Sequence, residues 1–473
     1  MIKKRKVVII GAGPSGLTSA YELLLNGKDN FDITIIEKNN VVGGLARTIK
    51  YKDCLFDIGP HRFFTKNDEV MAFWKKIMGN DFKKVKRLTR MYYRNNLFLY
   101  PVELRDIIRK LSPVDLVRMF SSFIYSKIFL KKYDPKNFEE YIIKHFGEEM
   151  YCMFFKTYTE KVWGIPCNEI EVKWANQRIK NLSLTEVLKK SIFKDKSSKS
   201  KSLVDEFHYP TKGAGHMFQT IADDLVKHGV KILLESEVNT IKHSGGRITE
   251  VKYIKERKKY SVKVDILISS MPLTLFVNSL NPLPNKNILT KTNKIYYRDH
   301  ITVNLIINGK SPFLDNWIYV HSPDVKLARI ANYNSMSRKM AGKNKTAISV
   351  EYFLFQTDEI WKMNNSEISK LAGRELELIG LVRPNSIADS FVIRETETYP
   401  VYFMGYERHF NPIKKYVSGF SNLELIGRGG MFKYNNMDHA MFSGMLAARN
   451  IIENKKVYDV WKVNTDAEYL EEK

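Results

Sequence analysis

Lys6-Val7-Val8-Ile9-Ile10-Gly11-Ala12-Gly13-Pro14-Ser15-Gly16-Leu17 is the stretch on which the fold turns. Four consecutive apolar residues, Val7 to Ile10, read as a strand buried on both faces, since a half-exposed strand would alternate. Gly11-Ala12-Gly13-Pro14-Ser15-Gly16 then turns the chain into an amphipathic helix that runs to about Leu25. A second apolar run, Ile33-Thr34-Ile35-Ile36, ends at Glu37. Strand, glycine turn, helix, strand and acid in that order make one βαβ unit of the Rossmann type. In such a unit a pyrophosphate sits on the helix N-terminus and the acid accepts ribose hydroxyls. The fold class expected is α/β, with a Rossmann-like domain that binds a dinucleotide.

Outward from this unit, the periodicity from about 80 to 192 is mostly helical, with starts at Ser112-Pro113-Val114-Asp115 and Asp134-Pro135-Lys136-Asn137. The polar run Phe193-Lys194-Asp195-Lys196-Ser197-Ser198-Lys199-Ser200-Lys201-Ser202 buries nothing apolar and reads as a mobile loop. A helix through Ala222 to His228 and strands near Lys231–Leu234, Ile248–Ile254 and Val264–Ser269 return to α/β. Thr302 to Ile307 and Ala347 to Tyr352 predict a second, mostly antiparallel sheet. Leu423 to Ile426, a glycine cluster and a helix from about Asp438 close the first domain. The expected layout is a discontinuous dinucleotide domain (1–80, 205–290 and 400–455), a helical substrate domain inserted at 81–204, an antiparallel-sheet substrate domain at 291–399 and a C-terminal tail at 456–473.

The chain's 473 residues exceed one ordinary core, and 44% hydrophobic residues suit a folded protein. Lys+Arg 76 against Asp+Glu 52 gives a net charge of +24, a field that draws in anions. The lysines are spread and accompany no nucleic-acid-binding motif, so no nucleic-acid partner is expected. Cys54, Cys152 and Cys167 lack CxxC spacing, which argues for buried free thiols rather than a metal site or disulfides. The apolar run after the basic N-terminus is too short for a signal peptide, and a cytoplasmic protein is expected. Val117 to Leu130, interrupted by Arg118 and Lys127, is too short to span a bilayer and reads as a core helix, with a surface-lying helix as the alternative. That alternative leaves a peripheral membrane contact open, and a homo-oligomer is open as well.

Gly43-Gly44-Leu45-Ala46-Arg47-Thr48 directly follows the acid and resembles the second glycine signature of a large flavoprotein class. There the backbone lies along the pyrophosphate of FAD, and a side chain such as Arg47 or Thr48 adds a contact. Ile426-Gly427-Arg428-Gly429-Gly430 resembles the late segment that covers the ribityl chain and flavin phosphate. Three separated segments thus agree on FAD. The cofactor-binding residues expected are Gly11, Gly13, Pro14, Ser15, Gly16, Glu37, Lys38, Gly43, Gly44, Leu45, Ala46, Arg47, Gly59, Pro60, His61, Val238, Gly427, Arg428 and Met437.

Asp57-Ile58-Gly59-Pro60-His61-Arg62-Phe63-Phe64-Thr65, Tyr158-Thr159-Glu160-Lys161-Val162-Trp163-Gly164 and Phe432-Lys433-Tyr434-Asn435-Asn436-Met437-Asp438-His439 resemble the UDP-galactopyranose mutase family. The resemblance implies that reduced FAD, loaded by NADPH or NADH, attacks the anomeric carbon of a nucleotide-diphosphate sugar through N5. The ring then recloses as a furanose without net redox. It also implies Arg178 and Arg329 as a bidentate diphosphate clamp, Tyr399 and Tyr434 as donors to the same oxygens, and Tyr158 with Phe154 and Phe155 as a face for the base. Trp163 would sit nearer the sugar, and His61 beside the flavin. The Gly59 to Phe63 block also resembles amine-oxidase-like and protoporphyrinogen-oxidase-like flavoproteins. An oxidase or desaturase on a hydrophobic substrate is therefore the alternative, and a flavin-free NAD-binding module the third reading.

Overall fold

The structure, a computed structural model, describes residues 4–27, 29–174 and 205–464. Arg178 and the Lys/Ser run lie outside the described residues. Strands Arg5–Ile10 and Phe31–Ile36 pair in parallel through the helix Pro14–Asn26. Ile266–Ser269 and Leu423–Leu425 extend the sheet on one side and Lys231–Leu233 on the other, so all five strands run parallel. Helices packed on this sheet explain the unbroken apolar run: Val7, Val8 and Ile9 are at most 1% exposed. Burying each such side chain is worth roughly 1.5–3 kcal/mol.

The second sheet has seven strands in the order Ile387–Pro400, Tyr297–Asn308, Lys345–Leu354, Arg329–Asn332, Trp317–Val320, Thr89–Tyr93 and Asn96–Leu99. Its pairings are antiparallel except that Trp317–Val320 runs parallel to Thr89–Tyr93. One face, with Ile301, Ile318, Ile330 and Val350, packs on Ile368, Ala372 and Leu376 of the helix Asn365–Leu378. The other face turns toward the dinucleotide domain.

Two expectations are corrected. The segment read as helical from about 80 begins with the strands Phe82–Lys86, Thr89–Tyr93 and Asn96–Leu99, and helices start only at Leu104. Phe82–Lys86 and Thr89–Tyr93 are held by partners far along the chain, Glu206–Pro210 and Trp317–Val320, which local periodicity does not register, and Asn96–Leu99 folds back on Thr89–Tyr93 through the turn Arg94-Asn95, both at positive φ. The core helix expected over Val117–Leu130 belongs to the helix Pro113–Phe129, and much of its apolar surface is open: Val117 is 69% and Phe129 67% exposed. Of the three cysteines, Cys54 and Cys167 are buried, whereas Cys152 is exposed.

Candidate active site

The three glycine segments meet at the C-terminal edge of the parallel sheet. Gly43 N donates to Ala12 O at 2.8 Å, which ties the second segment to the first. Gly427, at φ +72°, lies so close to the first turn that a Cβ there would be 2.5 Å from Ser15 Oγ. Gly13 differs from these: a Cβ on it would meet only Gly44 Cα, at 3.8 Å, so the protein itself leaves that space open. No side chain caps the N-terminus of the helix Pro14–Asn26, which leaves its first N–H groups to a ligand. An open cradle with an uncapped helix start and glycines on two sides fits the pyrophosphate of FAD.

Glu37, 5% exposed, accepts from Ala12 N at 2.7 Å and from Asn39 N at 2.9 Å. Asn39 Nδ2 donates at 2.8 Å to the same oxygen as Asn39 N, Oε1, so Oε2 is the oxygen that keeps acceptor capacity for a ribose hydroxyl. Lys38 beside it is exposed. Leu45 and Ala46 continue the 3-10 turn that begins at Gly44. Arg47 and Thr48 are occupied by the protein: Arg47 donates to Gly44 O and pairs with Glu395, while Thr48 Oγ1 donates to Asp57 and accepts from Gly215 N. They shape the turn. Val238 is buried in a neighbouring four-stranded sheet, and Met437 is buried at the first position of the helix Met437–Ile452.

Arg329 and Glu351 are directly opposed on adjacent strands. Arg329 Nε donates to Glu351 Oε1 at 2.7 Å and Nη2 to Oε2 at 2.5 Å, with the carboxylate fully buried. His300 Nε2 is 3.0 Å from the same Oε2. Burial alone would raise the Glu351 carboxyl, but the Arg329 charge and the His300 hydrogen bond outweigh it and hold the group at about 2. The sequence reading gave the Arg329 fork to a diphosphate. In the structure Glu351 takes that fork, leaving Nη1 outside the pair.

Around this pair the expected residues converge. Gly59, at φ +78°, sits against it: a Cβ there would be 2.7 Å from Glu351 Oε2. His61, one residue past Pro60, has Nδ1 3.1 Å from Gly59 O. Burial, then the charges of Arg428 and Arg329, push its imidazole down to about 4, so at neutral pH Nδ1–H donates and Nε2 is an acceptor. The Arg428 guanidinium lies 4.7 Å from the Tyr399 ring centre and 5.1 Å from that of Tyr434. Its hydrogen bonds go to the carbonyls of Asn435 and Thr398. Trp163, 2% exposed, packs 5.8 Å from Tyr434.

Tyr158 stacks on His321 at 4.9 Å and meets Tyr319 edge-on at 5.2 Å. Phe154 and Phe155 do not join it: Phe154 packs on Phe98 and Phe155 on Phe146, because the turn between them and Tyr158 contains a π-helical segment, Cys152–Lys156, that rotates them into the helical core. His439 belongs to the cap of the helix Met437–Ile452. Glu351, His300, Tyr319 and His321 escaped the sequence reading. Only Glu351 left a signal, a lone acid in the buried strand segment Ala347 to Tyr352.

With this geometry in place, comparisons with known proteins define the class. A family profile described as flavin-containing amine oxidoreductase matches residues 14–452, and the chain belongs to that family. The flavin-free reading is thereby set aside. A dTDP-fucopyranose mutase of Escherichia coli is 30% identical over 172 residues, 35% of this chain and 43% of the relative. A probable UDP-galactopyranose mutase of Klebsiella pneumoniae is 27% identical over 176 residues, 36% and 44%. An L-amino-acid oxidase of Crotalus adamanteus is 29% identical over 169 residues, 30% of each. The chain thus spans less than half the length of the curated relatives it matches. The crystal structure of a reduced UDP-galactopyranose mutase superposes with a TM-score of 0.81 at 20% identity, covering 98% of this chain and 97% of that one, and so shares the fold.

Proposed function

We propose that the chain is a flavin-dependent nucleotide-sugar mutase, interconverting pyranose and furanose forms of a sugar such as those named for its relatives, UDP-galactose or dTDP-fucose. One observation carries this reading: the guanidiniums of Arg329 and Arg428 both bear on His61 and Tyr399, yet of the two only Arg329 pairs with the buried carboxylate Glu351, while Arg428 bonds to carbonyls and lies against the rings of Tyr399 and Tyr434. Surplus positive charge in a sheltered aromatic site suits a diphosphate and costs energy in a site for a purely hydrophobic substrate. Bound and reduced, FAD would supply the nucleophile and recover its electrons in each turnover, with NADPH or NADH only loading it.

The residues of this chain would do the rest. Arg428 and the free Nη1 of Arg329 bind the diphosphate and neutralise charge as it departs, joined by Arg178 and by the hydroxyls of Tyr399 and Tyr434. Tyr158, braced by His321 and Tyr319, offers its ring to the base. Trp163 bounds the sugar, and His61 Nε2 accepts from a sugar hydroxyl or the flavin. Anaerobic incubation of the reduced protein with a panel of nucleotide sugars, followed by NMR, tests the reading. Furanose signals from one or more sugars are expected; no furanose from any of them, with an amine or amino acid consumed and peroxide released when the oxidised protein is supplied with oxygen, would give the site to an oxidase.

A further inference from the structure

The helix Pro113–Phe129 is apolar on two faces. Met119 and Ser126 are buried where it packs on the helices Phe138–Phe146 and Glu148–Tyr151. On its other side Val114, Val117, Ile124, Tyr125, Ile128 and Phe129 are each between 56% and 69% exposed. Their spacing of three and four residues draws them into one stripe. Of the nineteen large exposed hydrophobics among the described residues, eight fall between Ile108 and Tyr133, a concentration that scattered surface residues do not produce.

What borders the stripe identifies its occupant. Residues 104–136 carry eight Lys or Arg against three Asp. Arg105, Arg109, Arg118, Lys131 and Lys132 are exposed. Two of the acids are engaged locally, Asp106 with Leu99 N and Lys110, Asp115 with Ser112. A second copy on this face would bring basic rim against basic rim, which is repulsive. An anionic bilayer is complementary in both respects: aliphatic and aromatic side chains enter the acyl boundary while Lys and Arg meet the headgroups. No helix among the described residues is long and apolar enough to cross a membrane, so the contact lies in the surface plane.

We propose that the Pro113–Phe129 helix docks the protein reversibly on an anionic lipid surface. The test is sedimentation of the full-length, flavin-loaded protein with vesicles of phosphatidylcholine alone and of phosphatidylcholine mixed equally with phosphatidylglycerol. Binding to the mixed vesicles, weakened by salt, is expected. Ile124→Glu with Phe129→Glu should lower it by about tenfold or more, and Lys131→Glu with Lys132→Glu should remove the preference for the anionic lipid. All four sites are exposed, so flavin absorbance and unfolding midpoint should hold; if the first pair loses flavin, the lysine pair decides. Failure of the native protein to bind mixed vesicles, or unchanged binding in the lysine pair, overturns the proposal. So does a concentration-dependent dimer, seen by light scattering, that the glutamate pair abolishes.

Discussion

Arg329 shows how a side chain read for one purpose acquires a second obligation in the fold. Its fork is committed to Glu351, so Arg329→Ala strands a buried carboxylate as well as removing the proposed diphosphate ligand. Breaking such a pair costs roughly 3–5 kcal/mol, and a stability loss of that order should appear in denaturant titration. Adding Glu351→Gln to Arg329→Ala should restore much of the stability and none of the activity. Recovery of activity in the double variant would mean that Arg329 serves only Glu351. His61 gives a prediction in pH. Its folded value of about 4 lies below its ordinary 6.5, so between those values the unfolded chain takes up a proton that the folded one refuses. Stability should therefore fall as pH drops from 6.5 toward 4, and His61→Asn should flatten part of that fall. His321, pushed to about 3 by burial and by Lys161, contributes in the same direction and will remain in that variant.

At the level of elements, the glycine turn separates contacts made to protein from contacts kept for a ligand. A Cβ on Gly16 would stand 2.0 Å from Gly11 O, so Gly16→Ala should disrupt the strand-to-helix turn itself. Gly13, at φ −78° with only Gly44 Cα within 4 Å, can accept alanine without strain. Gly13→Ala should give folded protein with little or no flavin, measured by absorbance against the unfolding midpoint of the apoprotein. A full flavin spectrum would show that the pyrophosphate does not use this space. The βαβ unit was legible in the sequence because its signals are local: an apolar run, a glycine turn and an acid follow one another. Thr89–Tyr93 was not, since its partner strand Trp317–Val320 lies more than 200 residues away, and Asn96–Leu99 pairs only with Thr89–Tyr93, through a turn, Arg94-Asn95, that lacks the usual glycine signal. Glu351 was legible only as an oddity, because the register that sets it opposite Arg329 is a property of the sheet. Tyr158's ring partners, Tyr319 and His321, come from a different strand and loop for the same reason.

Across the whole molecule, a parallel sheet presents the cradle, a second sheet supplies Arg329 and Tyr399, and the late glycine segment and the helix Thr157–Trp163 bring Arg428, Tyr434 and Tyr158 to them, with Gly59 and His61 alongside. The matched family is described by amine oxidation and the superposed structure is a mutase, so the fold does not choose between the two. The electron balance does. An oxidase passes two electrons to an acceptor for every product molecule, whereas a mutase that uses reduced flavin as a nucleophile ends each cycle with the electrons where they began. The most direct measurement is product formed per reducing equivalent, taken with dithionite-reduced, oxygen-free protein and the nucleotide sugar that the NMR panel selects. Many furanose molecules per flavin, with no further reductant consumed, is the predicted result. One reducing equivalent lost per product, or, on admission of oxygen, hydrogen peroxide formed in step with substrate consumption beyond the one equivalent that each reduced flavin gives, would contradict the account.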